Sequence, residues 1–205
     1  MYEKLPNLVI GFHGCTKKTH EKVLTLHEEL KASANSYDWL GNGIYFWENK
    51  LVRAQEWAKK RYGSEAAVIG ATIDLGYCLN LTDSASEQEL KNGYKMLKML
   101  CELTGAELPV NRKSNKTKDV LLRDLDCAVI QQIQFGQENL DKSYEEINHN
   151  SPKYDSVRGV FTEGTPPYPG SAFYSKTHIQ ICVCNPNCIK GYFEPRNAMK
   201  NYRLP

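Results

Sequence analysis

Along the chain, apolar positions fall into short runs whose period changes from segment to segment. Leu8 to Gly14 (LVIGFHG) is an apolar run ending in polar residues and reads as a strand. Residues 17–32 then place Val23, Leu26, His27 and Leu30 at i, i+3, i+4 and i+7, one face of a helix. Gly43 to Glu48 reads as a second strand. Asn49 stands where it can cap a helix whose stripe is Leu51, Ala54, Ala58 and Tyr62. Residues 66–81 (AAVIGATIDLGYCLNL) form a long strand region broken at Gly76.

The middle of the chain turns helical. Ser84 and Glu87 have capping-box spacing and open a helix through about Leu103. PVNRKSNKTK reads as loop. A helix from Thr117 carries Leu122, Leu125, Val129 and Ile133, and the polar residues 136–155 are expected to be irregular. Strands return at Ser156 to Glu163, His178 to Cys184 and Ile189 to Phe193, with the Pro/Gly loop TPPYPGSAF between the first two. In the second of these, period two sorts His178, Gln180, Cys182 and Cys184 onto one face and Ile179, Ile181 and Val183 onto the other. Strands at both ends with helices inserted between them predict an α+β fold with a mixed or antiparallel sheet. One domain over 1–205 is expected, with a helical insertion at about 84–135.

Composition narrows the class. With 41% hydrophobic and 24% charged residues, the 205-residue chain is neither disordered nor fibrous. A net charge of +2 neither demands nor excludes a nucleic-acid partner. There is no signal-peptide pattern and no apolar run long enough to cross a bilayer, so a cytoplasmic protein without a membrane partner is expected. The seven cysteines are odd in number and lie mostly in apolar runs, which suits reduced, buried thiols. His178, Cys182, Cys184 and Cys188 are metal-ligand types without knuckle spacing, so no metal site is expected.

The usual nucleotide motifs fail. G-x-x-x-x-G-K-[ST] is absent, and Gly41-Asn42-Gly43 precedes a strand instead of opening a helix that could receive a pyrophosphate. G-x-S-x-G is absent as well. What remains is GFHGC around His13, GNGIYF around Tyr45 and HIQICVCNPNCIKGYF around Gln180. In that order these resemble the three motifs of the ADP-ribosyltransferase superfamily, on its branch similar to poly(ADP-ribose) polymerases and diphtheria toxin. The likeness spans residues 8–193, and AAVIGATIDLGYCLNL and YDSVRGVF resemble the family's intervening strands.

The resemblance implies a split β-sandwich and NAD as co-substrate. It also implies a role for each residue: His13 on the adenine-side ribose, the Gly14 backbone on the nicotinamide carboxamide, Tyr45 stacked on nicotinamide, and Gln180 on the other ribose. Two departures stand out. Gln180 replaces the usual glutamate, and an amide is neither a base nor a charge, so mono-transfer is expected in place of chain elongation. Arg53 stands where some members carry a small hydroxyl residue, with Trp57 near the same helix as a candidate wall of the pocket. Glu163, the acidic residue near the third motif, is a candidate general base compensating for Gln180. The acceptor would be a macromolecule, protein or nucleic acid. A toxin or defence role would bring a neutralising antitoxin partner. The rival readings are an NAD glycohydrolase and an inactive module that binds NAD or ADP-ribose.

Overall fold

The computed structural model describes residues 8–113, 119–144 and 153–196. The first half runs β1 (Leu8–Thr16), α1 (Lys17–Thr25), β2 (Ile44–Glu48), α2 (Leu51–Tyr62), β3 (Ala66–Asp74), β4 (Cys78–Asn80) and α3 (Ser86–Thr104). The second half runs β5 (Asn111–Arg112), β6 (Leu122–Arg123), α4 (Asp124–Tyr144), β7 (Ser156–Phe161), β8 (His178–Val183) and β9 (Ile189–Phe193). Seven strands make one mixed sheet in the order β4-β7-β8-β2-β1-β3-β9. Its pairings are antiparallel except for β4 with β7. β5 and β6 form a separate two-stranded ribbon. The fold is α+β.

Each face of the sheet carries its own core, and strand alternation decides which residues go where. Ile44, Phe46, Ile69, Ile73, Ile181 and Val183 pack on one face with Val23 of α1. Trp39, Leu40, Leu79, Val157 and Cys182 pack on the other with Leu97 of α3 and Val129, Ile130 and Ile133 of α4. The period-two sorting of β8 thus divides two hydrophobic layers: Ile181 and Val183 serve the first core, and Cys182 serves the second with Cys184 packed beside it. All seven cysteines are free thiols.

Element boundaries depart from the pattern where backbone and side-chain caps intervene. The helix expected over 17–32 stops at Thr25, because His27 adopts a left-handed conformation (φ 55°) that no α-helix can continue. Thr16 caps its start, accepting from the Thr19 amide at 3.2 Å. Asn49 is not a side-chain cap. It is itself left-handed (φ 51°), its amide bonds the Ile10 carbonyl at 2.9 Å, and Lys50 is the residue flanking α2.

The Ser84–Glu87 capping box does not form either. Ala85 flanks α3, its amide bonding Asp83 Oδ1 at 3.0 Å, and the Ser86 hydroxyl donates to the Asn80 carbonyl. α4 begins at Asp124, where Asn111 Oδ1 accepts from the Leu125 and Asp126 amides at 3.1 and 3.2 Å. Its expected start, Thr117, lies outside the described residues. The helix then runs to Tyr144, into the segment expected to be irregular. The expected loop at 109–118 contributes β5.

Packing is tight where β1 crosses the first core. A Cβ at Gly11 would lie 2.7 Å from Ile73 Cδ1 and 2.8 Å from Phe46 Cβ, both fully buried. Gly11→Ala is therefore expected to destabilise the fold by about 1–3 kcal/mol through overpacking. An unchanged urea-denaturation midpoint would contradict this packing.

Candidate functional site

β1 pairs with β3 along its whole length, but with β2 only through Gly11–Glu48 and Phe12–Trp47. β2 meanwhile pairs with β8 from Ile44 to Trp47. The two central strands therefore part after Phe12. The bond between Asn49 N and Ile10 O shows that the Ile10 carbonyl is directed to the β2 side. Strand alternation directs the N–H and C=O of Phe12 and Gly14 the same way. At Gly14 the residue pairing with β2 has already ended.

His13 sits at this parting. Its Nδ1 donates to the Tyr45 carbonyl at 2.8 Å. A carbonyl only accepts, so Nδ1 carries the hydrogen. Burial holds the His13 pKa below the usual histidine value, which favours a neutral ring with a bare Nε2. The ring lies 5.7 Å from that of Phe46, on the first-core side of the sheet. Gly14 faces the opposite side, where a Cβ would meet Trp57 Cε3 at 2.9 Å and the Ala54 carbonyl oxygen at 3.1 Å. Trp57 thus lies directly against Gly14.

Tyr45 lies on the second-core side of β2. Its hydroxyl donates to the Gly41 carbonyl at 2.8 Å and accepts from the Leu40 amide at 2.9 Å. Burial raises its pKa far above the ordinary phenol range. These bonds explain G-N-G. Gly41 takes a left-handed turn (φ 81°) that Tyr45 staples, and Gly43 has no room for a side chain, since a Cβ would lie 2.5 Å from Cys182 Sγ.

Gln180 stands opposite Trp47 across β2 and β8. Its Oε1 accepts from Trp39 Nε1 at 2.7 Å, and its Nε2 lies 3.0 Å from His178 Nε2. His178 Nδ1 in turn lies 2.6 Å from the Lys176 carbonyl. The His178 ring stacks on Phe161 at 5.5 Å and lies 6.3 Å from Trp47, which is 5.5 Å from Trp57. Burial lowers the His178 pKa.

Glu163 does not meet Gln180 directly. It pairs with Arg53 Nη2 at 2.7 Å, tying the start of the Pro/Gly loop to α2, and Arg53 also pairs with Glu56. The same loop is held from the ribbon side, where Asp119 Oδ2 accepts from the Gly164 amide at 3.4 Å. The Arg123 guanidinium lies 4.3 Å over the Trp39 ring. Trp47 Nε1 and Arg53 Nε are buried donors without a hydrogen-bond partner among the described residues.

The structure therefore brings His13, Gly14, Tyr45 and Gln180 onto three adjacent strands. Tyr45 and Gln180 share a face with Trp47, Trp57 and His178, whereas His13 reaches Tyr45 through a backbone carbonyl from the other side. Sequence reasoning did not join Trp39, Arg123 or Asp119 to the site residues. Trp39 is 141 positions from Gln180, and no local period could have joined them. His178 carried a signal, since alternation had placed it on the Gln180 face. Among the described residues no group of three or more His, Cys, Asp or Glu side chains converges as a metal site, and no helix is long and apolar enough to cross a membrane.

No family model and no solved structure matches the chain. An uncharacterized protein of Methanocaldococcus jannaschii is similar to it, 26% identical over 200 residues, covering 87% of this chain and 83% of that protein.

Both perturbed histidines resist protonation in the fold, while in the unfolded chain they take up protons near the ordinary histidine value of about 6.5. Their contribution to stability is thus full above that pH and declines as pH falls below it. The urea midpoint is expected to drop between pH 7.5 and 5, and to drop less in a His13→Gln/His178→Gln double variant. A wild-type midpoint that stays flat across this range would refute the assignment.

Proposed function

We propose that this protein is an NAD-dependent mono-ADP-ribosyltransferase with a split β-sandwich, acting on a macromolecular acceptor. The observation that carries the reading is the parting of β1 and β2. It directs the Gly14 backbone N–H and C=O to the side where pairing has stopped, with Trp57 alongside. Such an edge suits the two-ended hydrogen bonding of a carboxamide, and Tyr45 and Trp47 on the neighbouring strand suit a flat ring. The order of His13, Tyr45 and Gln180 over three adjacent strands supports the same reading.

In this reaction the bond between nicotinamide nitrogen and ribose C1′ breaks, and its electron pair leaves on neutral nicotinamide. An acceptor nucleophile bonds C1′ and gives up its proton. The transition state resembles an oxocarbenium ion, so positioning and electrostatics dominate. In this reading Glu163, which pairs with Arg53, is the carboxylate that takes the proton. The Gln180 amide orients without accepting a proton.

The test incubates the protein with labelled NAD and cell lysate and measures both released nicotinamide and label on macromolecules. Tyr45→Ala is expected to lower both at least about tenfold, equivalent to about 1.4 kcal/mol. Tyr45→Phe, which keeps the ring and loses only the hydroxyl staple, is expected to retain more activity. Nicotinamide release without any acceptor would favour a glycohydrolase. NAD binding without release would favour a binding module, and no interaction with NAD at all would end the proposal.

A further inference from the structure

The three hydrogen bonds around Gln180 leave one solution for where the hydrogens lie. An indole N–H only donates, so the Gln180 atom 2.7 Å from Trp39 Nε1 is the carbonyl oxygen. The Lys176 carbonyl only accepts, so His178 Nδ1, 2.6 Å away, carries a hydrogen. A neutral ring protonated there has a bare Nε2, which accepts from the Gln180 amide nitrogen at 3.0 Å. Turning the amide over would set donor against donor at Trp39 and acceptor against acceptor at His178. The sense of the amide, ordinarily ambiguous, is fixed by groups at both of its ends.

We infer that Trp39 and His178 are positioning residues that lock the Gln180 amide in one sense, so that the third motif position offers a bound ligand an N–H donor. One of the two amide hydrogens is spent on His178 and the other remains. A glutamate there would offer oxygen acceptors only, and would need His178 to carry a second proton in order to keep the bond between them. Position 180 thus favours a ligand atom with a lone pair, such as a ribose oxygen, over a hydroxyl hydrogen. The inference builds on the NAD reading above, but the relay is testable without it.

The groups that bear on His178 are Lys50 and Arg53 at the start of α2, which oppose a second proton, and Glu163 after β7, which favours it. In the wild type, nitrogen chemical shifts are expected to report the Nδ1–H tautomer of His178 at neutral pH, and Trp39 Nε1–H is expected to exchange slowly. Gln180→Glu should move the His178 titration from below the usual histidine value to above it. The Nε2–H tautomer in the wild type, or an unmoved titration in Gln180→Glu, would overturn the relay.

Trp39→Phe removes the donor that holds Oε1 and keeps the apolar ring. It should raise the KM for NAD several-fold with little change in kcat, since the lost interaction is one of binding. A fall in kcat at constant KM would reduce Trp39 to a packing role and overturn its part in positioning. A wild type that neither binds NAD nor releases nicotinamide refutes the transferase reading and the ligand-facing role of Gln180 together. The spectroscopic arm then still decides whether Trp39 and His178 lock the amide.

Discussion

The hydrogen bond from His13 Nδ1 to the Tyr45 carbonyl occupies a place where a sheet would ordinarily have a backbone bond. β1 stays with β3 and β2 stays with β8, so each central strand has a full partner on its outer side and a short one on its inner side. An unpaired buried carbonyl is costly, and the imidazole removes that cost without drawing the strands together. Because the donor is a side chain, the strands can stand apart and still be satisfied. At the point of separation Gly14 is buried, its backbone is directed toward β2, and Trp57 packs against it.

The sheet can tolerate the parting because its two faces are sealed independently. Ile44, Phe46, Ile69, Ile73, Ile181 and Val183 bridge both halves beneath the first face, so the strands are held together by apolar contact where backbone bonds are missing. Across the next pair, Arg158 forks onto Glu48 with Nε and Nη2 at 2.6 and 2.9 Å, tying β7 to β2 over the intervening β8. The bidentate geometry resists sliding as well as separation. This ion pair lies on the face away from Trp57, and the second face carries its own core against α3 and α4, with Tyr45, Trp47 and His178 beside it.

The sequence made the strands and their faces legible because period-two alternation is a local signal. β8 illustrates this: its isoleucines and valine on one face and His178, Gln180 and Cys182 on the other were separable by counting alone, although both faces turn out to be packed. Helix ends were less legible. His27 and Asn49 take left-handed conformations that their residue types only weakly favour, and α4 is capped by Asn111, which precedes the helix by more than ten positions. The motif residues could be named from GFHGC, GNGIYF and HIQICV, but their partners could not. Trp39 with Gln180, Arg53 with Glu163, and Asp119 with Gly164 are each joined across distant chain segments, and only the completed topology brings them within bonding distance.

The parted strands also bear on self-association. An exposed sheet edge is a template for any extended chain that can lie about 4.8 Å away and pair over several residues. Here the edge lies inside the sheet, between two strands already committed to neighbours, with Trp57 against its Gly14 face and the His13 ring on the other. A second polypeptide has no path along it. Steric exclusion by Trp57 and the His13 ring thus keeps this inner edge from serving as a template for aggregation.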